Sequence, residues 1–330
     1  MKALRIHEFG RLESLAWVDV PTPSAAPGEA LVRVEAVGLN RADVLQCLGK
    51  YPAPPGFPQD IPGLEYAGVV EKVGPQVTTL APGVRVMGLV GGGAFAEFLK
   101  VPEAETIPVP SWLSPREAAA LPEAFLTAYD ALVLQANVQV GEGVLIHAVA
   151  SGVGVAAAQL ARALGARVIG TSRTPEKLEK LHRFGLEHSV TCGSPPAFAQ
   201  DVQRLTQGRG VDVALDLIGG PYLTQTTECM AERGRIVLLG LLGGARAELP
   251  LGLLLSKRLT LRGSTLRSRS SHEKSFLARE FQKTLLPLFE KGPLQPVIDE
   301  TLPMTEIHAA LSKLGQNRSV GKIVLQWRAP

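Results

Sequence analysis

The stretch Val144-Leu-Ile-His-Ala-Val-Ala-Ser-Gly-Val-Gly154-Val-Ala-Ala-Ala-Gln-Leu-Ala-Arg has the residue types and spacing of a pyrophosphate cradle. Val144 to Ala148 reads as a buried parallel strand. Val155 to Leu164 reads as an Ala-rich helix that Gly165 ends. Between them Ser151, Gly152, Val153 and Gly154 form a turn kept thin by its small residues. Unpaired N–H groups and the dipole at the helix start favour an anion there. A Cβ at these positions is expected to fill the space of a phosphate oxygen. The match to G-x-G-x-x-G is partial, because Val149 and Ser151 stand at the first two glycine positions and only Gly154 is in register. The context supports it: strand before, helix after, and a second short strand at Arg167-Val-Ile-Gly170. The alternative is a tight strand-to-helix turn with no ligand.

The end of that second strand bears on which dinucleotide would fit. NAD sites place Asp or Glu there, roughly 20 residues past the glycines, on the ribose 2′-OH. Here the chain reads Gly170-Thr-Ser-Arg173-Thr174, with no acid. Ser172 offers a hydroxyl and Arg173 a planar cation suited to a 2′-phosphate. Thr174-Pro-Glu-Lys177 reads as an N-cap with Pro at the first helical position, which puts Lys177 in the first turn. The pattern points to NADPH. The plainer reading is that Arg173 and Lys177 are exposed cations on a loop and a helix.

Other elements must position these residues. Residues 1 to about 110 read as all-β, with short apolar runs broken by Pro and Gly, and Tyr51 to Pro62 too irregular for either element. Ser114-Pro-Arg-Glu117 is a capping box that opens a helical stretch, and a second helix is expected over Leu126 to Leu134. From Val144 to about Ser264 strands and helices alternate, which argues an α/β arrangement with a parallel sheet covered on both faces. Later strands are Val211–Asp216, Arg235–Gly240 and Leu259–Arg262. The tail carries helices at Ser275–Glu290 and Glu306–Leu314 and ends on a strand at Lys322–Gln326.

Composition narrows the class. The chain has 330 residues, 45% hydrophobic and 20% charged, with a net charge of +3. That suits a well-cored protein of two domains and argues against nucleic acid. The three arginines between 262 and 269 read equally well as a solvated loop. No apolar run suits a membrane span, and Met1 to Glu8 reads as a first strand, not a targeting segment. Cys47, Cys192 and Cys229 are far apart with no C-x-x-C, so a cytoplasmic protein without a disulfide framework is expected.

Several segments together resemble the medium-chain dehydrogenases/reductases. They are Val37-Gly-Leu-Asn-Arg-Ala-Asp43, Leu48-Gly-Lys-Tyr-Pro52, Pro62-Gly-Leu-Glu-Tyr-Ala-Gly-Val-Val70, Ala119-Ala-Leu-Pro-Glu-Ala-Phe-Leu-Thr-Ala128, Asp216-Leu-Ile-Gly-Gly220, Gly240-Leu-Leu-Gly-Gly244 and Asn317-Arg-Ser-Val-Gly-Lys322. Within that superfamily the chain is most similar to the zinc-free quinone oxidoreductases, the zeta-crystallin branch, and there to the p53-inducible type. The resemblance implies a doubly wound Rossmann sheet inserted in a GroES-like, mainly β catalytic domain, with a cleft between them. The divisions expected are 1–122 for the catalytic domain, 123–264 for the NADP-binding domain and 265–330 for a return to the first. Zinc-dependent members place Cys where Asn40 stands and His where Leu64 stands. Leu64 has no donor atom, and an Asn carbonyl is a poor ligand for zinc. Without a Lewis acid to stabilise an alkoxide, acceptors that hold their own electron density remain: quinones and enones.

By the same resemblance Asn40 and Tyr51 face the nicotinamide, with Tyr51 the local proton donor. Its plainer role is a loop aromatic beside Pro52 and Pro54. Thr127 is expected near the nicotinamide, Gly240, Leu241 and Leu242 along the floor, and Asn317 and Lys322 at the cofactor. Related enzymes use a lysine at the position of Lys177 for the 2′-phosphate, and often a Tyr at the position of Cys192. Asp43 is expected to be structural, His147 a satisfied core histidine, and Asp216 a cap on the Ile218-Gly-Gly turn. The leading expectation is an NADPH-dependent quinone oxidoreductase. Its rivals are a 2-enoyl-thioester reductase and a crystallin-like, non-catalytic NADPH-binding protein. The apolar strand Leu259–Ser264 reads as an unpaired sheet edge, which suggests a homodimer.

Overall fold

The structure is a computed structural model describing Met1–Trp327. Two compact units divide the chain: Met1–Leu126 together with the chain from Leu266 onward, and Thr127–Thr265.

In the first unit β1 (Lys2–Ile6) pairs antiparallel with β2 (Leu15–Asp19). Next come β3 (Glu29–Gly38), β4 (Glu65–Val73), β5 (Arg85–Leu89), β6 (Phe98–Pro102) and β7 (Thr106–Pro108). A helix, α1 (Arg41–Cys47), interrupts what the sequence suggested was all-β. It is only seven residues long, too short for a 3.6-residue period to show against the surrounding strands. Its start is fixed by Asp43, whose Oδ2 accepts from the Asn40 N–H at 2.8 Å and whose Oδ1 accepts from the Gly63 N–H at 3.1 Å. Gly63 has φ +100°, and a Cβ there would meet the Phe95 nitrogen at 2.6 Å. Only glycine closes this loop against α1.

The capping box at Ser114 opens α2 (Pro115–Ala118), as read. After it α3 (Pro122–Tyr129) continues into a π-helical segment over Asp130–Gln135, so the second helix starts four residues earlier than expected. The wider turn leaves Asp130 facing inward, where Oδ2 accepts from Ser264 at 2.6 Å and Oδ1 from Gln135 at 3.1 Å.

The second unit is a parallel sheet of β8 (Gly143–Ile146), β9 (Arg167–Ser172), β10 (His188–Thr191), β11 (Val211–Asp216), β12 (Met230–Leu238) and β13 (Thr260–Gly263). Their spatial order is β10-β9-β8-β11-β12-β13, the 3-2-1-4-5-6 arrangement of the doubly wound fold. Its helices are α4 (Gly152–Ala163), α5 (Pro175–Glu179), α6 (Ala199–Leu205), α7 (Pro221–Glu228) and α8 (Leu251–Ser256). β11 is buried along its whole length, which is why it reads as an apolar run and not as an alternation.

The chain then returns to the first unit. There α9 (Ser271–Glu280), a π-helical turn and α10 (Leu286–Glu290) form one helical run, followed by β14 (Ile298–Pro303), α11 (Ile307–Gly315) and β15 (Lys322–Gln326). The first unit's larger sheet has the order β14-β15-β3-β4-β5-β7, with β6 on β3. Val32, Val34, Val37, Leu39, Tyr66, Phe95 and Leu325 are in its core. The pairing of β15 with β3 is what carries Lys322 to Asn40, since the Leu39 N–H donates to the Ile323 carbonyl at 2.9 Å.

Candidate functional site

The predicted cofactor residues of the second unit follow the C-terminal ends of its parallel strands, where doubly wound folds hold ligands. Ser151 is the N-cap of α4, its Oγ accepting from the Gly154 N–H at 3.1 Å. Gly152, Val153 and Gly154 form the first turn. A Cβ on Gly154 would meet the Ala148 carbonyl oxygen at 2.6 Å and Val149 Cα at 2.7 Å. The small residue is therefore needed for helix-on-strand packing, and the space expected for a phosphate oxygen is filled by backbone.

Beyond β9, the Ser172 hydroxyl accepts from the Thr174 N–H at 3.1 Å and turns the chain. Thr174 and Pro175 then start α5, with Lys177 in its first turn. Arg173 is exposed, and its guanidinium makes no hydrogen bond or ion pair among the described residues. A serine hydroxyl and an uncommitted planar cation, with no acid at the strand end, form a donor set that fits a 2′-phosphate. Gly240, Leu241 and Leu242 follow β12. The Gly240 N–H donates to the Asp216 carbonyl and the Gly243 N–H to the Ile218 carbonyl. Asp216 caps the preceding turn as expected, taking the Ile218 and Gly219 N–H groups at 2.8 Å each. Leu241 and Leu242 are about half exposed. Thr127 lies in α3.

Behind β8 and β9 is a network of hydrogen bonds among neutral groups. Thr226 Oγ1 donates to the Tyr222 carbonyl at 2.7 Å, so it accepts from His147 Nε2 at 2.8 Å. His147 Nδ1 then accepts from Thr171 Oγ1 at 2.9 Å. Cys192 is bonded to both the Thr171 and Tyr222 side chains. The Tyr222 phenol donates to the sulfur. His147 is fully buried between Phe198 and Tyr222, and desolvation pushes it down to about 4. Burial also raises Cys192. The residue at the often-tyrosine position is thus an interior thiol tied to a tyrosine from α7.

The first unit brings Asn40 and Lys322 together. The Lys322 ammonium donates to Asn40 Oδ1 at 2.6 Å, to the Leu39 carbonyl at 3.0 Å, and pairs with Glu65 Oε2 at 2.6 Å. All three of its N–H bonds are used. Asn40 Nδ2 donates to the Gly38 carbonyl at 3.1 Å and to Glu65 Oε2 at 3.2 Å, which uses both of its hydrogens. Glu65 Oε1 accepts from the Glu123 backbone N–H at 2.8 Å. Burial pushes the carboxyls of Asp43 and Glu123 up to about 7 each. For Asp43 two N–H donors, Lys322 and Arg267 oppose that rise; for Glu123 only Lys322 opposes it, while Glu65 and Asp43 add to it. Asn317 accepts from the Arg41 guanidinium, which also donates to the carbonyls ending α11.

Tyr51 sits in the irregular loop, partly buried. Its carbonyl accepts from Arg267 at 3.0 Å, and the guanidinium stands 5.1 Å from its ring centre. Arg267 is itself buried, donating also to the Gly91 carbonyl at 2.8 Å and to Gln46. It is not a solvated loop residue, and nothing local in sequence distinguishes it from Arg262 or Arg269. Its partners lie about 200 residues away and are visible only in the fold. The Tyr51 phenol makes no hydrogen bond among the described residues. Burial raises it, Arg267 lowers it and the Glu123 charge raises it. Glu123, unremarked in sequence, was detectable only as an acid inside an otherwise apolar helix start.

Residues 26–111 match the alcohol dehydrogenase GroES-like domain, and residues 152–284 match the zinc-binding dehydrogenase family. A quinone oxidoreductase-like protein 2 homolog from Nematostella vectensis is 34% identical, over 92% of this chain and 83% of its own. A 2-haloacrylate reductase from Burkholderia sp is 34% identical over 97% of each chain. A mycobacterial protein solved with NADPH has 30% identity and a TM-score of 0.88, covering 99% of this chain and 100% of its own. The chain belongs to the medium-chain dehydrogenase/reductase family of NAD(P)-dependent oxidoreductases, on its quinone oxidoreductase-like side. Among the described residues no helix is long and apolar enough to cross a membrane.

Proposed function

We propose that the protein is an NADPH-dependent oxidoreductase that reduces quinones or conjugated carbonyls without zinc, and that within its family it is of the p53-inducible type. The observation that carries this is the state of Asn40. Its amide is committed on both nitrogen hydrogens and to Lys322, and Leu64, which has no donor atom, is buried. An acceptor that stabilises its own charge suits such a site. Bound at the strand ends of the second unit, the reduced nicotinamide would supply hydride. Ser151 keeps its own O–H for a phosphate after accepting from Gly154, while Arg173, Ser172 and Lys177 take the 2′-phosphate. Tyr51 is assigned the proton and Lys322 the orientation of Asn40. The 2-haloacrylate reductase among the relatives favours carbon–carbon double bonds conjugated to a carboxyl as a second acceptor class.

Parallel assays with a 1,2-quinone and a crotonyl thioester, before and after prolonged chelation, test the reading. Quinone turnover that survives chelation is expected. Turnover of the thioester alone would make the protein an enoyl reductase. Tight NADPH binding with neither activity would make it a binding protein. Stoichiometric zinc needed for activity would overturn the zinc-free assignment.

We also infer a homodimer through β13. All four of its residues are exposed, Leu261 among them, and Leu251 and Leu255 of α8 are exposed as well. An open strand edge beside apolar side chains suits a second copy of the same edge. Leu261→Pro would remove one ladder N–H and is expected to weaken the dimer. Light scattering at micromolar concentration should give twice 35.1 kDa for the wild type; the single-chain mass would refute the dimer.

A further inference from the structure

Residues 51–62 hold five prolines among twelve residues. Each proline keeps its carbonyl and lacks an N–H, so the loop is short of donors for its own acceptors. Side chains make up the difference. Gln46 of α1, fully buried, donates from Nε2 to the Gln59 carbonyl at 2.9 Å. Gln59 Nε2 donates to the Ala53 carbonyl at 3.0 Å and to the Phe57 carbonyl at 3.1 Å. Arg267 closes the brace at the loop's first residue. Its Nη1 donates to the Tyr51 carbonyl at 3.0 Å, its Nη2 to Gln46 Oε1, and its Nε to the Gly91 carbonyl at 2.8 Å. The loop lies flat on the Gly91 turn, where a Cβ would run into the Phe57 ring. One planar fork thus ties together α1, the start of the loop and the Gly91 turn.

The brace accounts for the hydrogen bonds of Arg267 and leaves its charge over. Its three acceptors are two backbone carbonyls and an amide, all neutral, and Arg267 is 3% exposed. Burying a cation among neutral acceptors is costly, and a neutral donor could serve the same oxygens without that cost. A neutral donor could not set a positive charge against the Tyr51 ring, whose centre is 5.1 Å from the guanidinium carbon. Such a charge favours the phenolate and so eases release of the proton. Glu123 also faces the phenol and acts against the guanidinium there; Asp43 and Lys274 face the guanidinium itself.

We propose that Arg267 is the positioning residue of Tyr51: its fork fixes the tyrosine at the start of the loop, and its charge makes the phenol the readier proton donor. Arg267 acts through Tyr51 and does not touch the acceptor. With NADPH and a quinone, hydride brings the electron pair and one proton. The Tyr51 O–H bond breaks as the second O–H bond of the hydroquinone forms. The phenolate then stands beside the guanidinium until solvent returns its proton. The inference rests on the reading above that gives Tyr51 the proton.

Two measurements test it. In the cofactor-free protein, 13C NMR follows the tyrosine ring carbons that bear oxygen, with Tyr51→Phe identifying the Tyr51 signal. That signal should titrate at higher pH in Arg267→Gln and stay near its wild-type midpoint in Arg267→Lys, which keeps the charge. The wild-type Arg267 guanidinium carbon should shift at the Tyr51 midpoint and stay still in Tyr51→Phe. This holds whether or not the arginine variants fold. A guanidinium carbon blind to the phenol, or an unmoved midpoint in Arg267→Gln, would overturn the proposal. With NADPH and a 1,2-quinone, Arg267→Gln should lower kcat ~10-fold or more while KM for NADPH holds. Arg267→Lys should recover part of that loss. In a Tyr51→Phe background Arg267→Gln should cost little further, since the residue it acts through is gone. An equal loss in both backgrounds would show that Arg267 acts by another route, and the proposal falls. If both NMR signals behave as expected and no quinone turns over, the coupling of Arg267 to Tyr51 stands and the functional reading falls.

Discussion

The two units solve the burial of polar groups in opposite ways. In the first, Asn40, Asp43, Glu65, Glu123 and Lys322 form a charged cluster in which one ammonium serves a carboxylate, an amide and a backbone carbonyl. In the second, His147, Thr171, Thr226, Cys192 and Tyr222 form a hydrogen-bonded network of neutral groups. A charged cluster is costly to build and costlier to break, because removing one ion strands another. A neutral network loses only its hydrogen bonds and, through histidine, its tolerance of acid. It has no ion to strand, which fits a scaffold for a bound dinucleotide.

Lys322 offers the hardest way to break the contrast. Lys322→Met leaves Glu65, fully buried, without its counter-charge and should cost about 3–5 kcal/mol. Adding Glu65→Gln should recover a large part, since the pair then goes missing together. Urea unfolding followed by tryptophan fluorescence checks this directly, because Trp17, Trp112 and Trp327 all belong to the first unit. A double variant no more stable than the single one would show that the cluster is not held by charge balance.

Acid should pull the two regions apart. His147 sits at about 4 in the fold against 6.5 when unfolded. Above pH 6.5 both states are neutral and the network contributes fully. As pH falls from 6.5 to 4 the unfolded chain takes a proton first, and about 3 kcal/mol is lost in all. Asp43 and Glu123 carry the opposite sign. Their carboxyls are raised to about 7, so their contribution is present below the ordinary carboxylate range and fades as pH rises toward neutrality. Protection factors in β8 and β9, exchange rates corrected for the intrinsic pH dependence, should therefore fall between pH 7 and 4.5, and His147→Gln should flatten that response. Glu123→Gln should flatten the rise in first-unit stability seen by tryptophan fluorescence over the same interval. Parallel responses of the two units would remove the distinction.

Dinucleotide binding ranks next. Arg173→Ala and Lys177→Ala should each weaken NADPH by about 1–3 kcal/mol, the range for hydrogen bonds to charged groups, and leave NADH nearly unchanged. Isothermal titration with both dinucleotides measures this. Equal wild-type affinity for the two would remove the 2′-phosphate assignment.

The second unit was far more legible in sequence than the first. Its strands are apolar runs bounded by turn residues, and Ser151, Gly154, Thr174-Pro175 and Gly165 mark helix starts and stops by local chemistry. Local rules are what a linear sequence carries. The first unit's cluster depends on β15 pairing with β3, nearly 300 residues apart. Asn40 and Lys322 entered as separate candidates, and only the fold shows that they hold each other. Glu123 and Arg267 escaped for the same reason, since the partners that define them come from α1, β4 and the loop around Tyr51. Helix α1 escaped because its start is held by a tertiary contact, Gly63 to Asp43, as much as by its own residues.

Ser151 gives the smallest effect and the finest test of the neutral side. Its oxygen caps α4 through the Gly154 N–H, and no charge is involved. If capping is its structural role, Ser151→Ala should cost about 1 kcal/mol of second-unit stability, and Ser151→Gly only a few tenths, because water reaches the freed N–H past glycine. Both variants lose the hydroxyl, so both should weaken NADPH to a similar extent if the remaining O–H meets a phosphate. Stability and affinity would then separate: stability would follow the Ala–Gly difference and affinity would not. If the affinities of the two variants instead differ as their stabilities do, the hydroxyl holds the helix start and makes no contact with the dinucleotide.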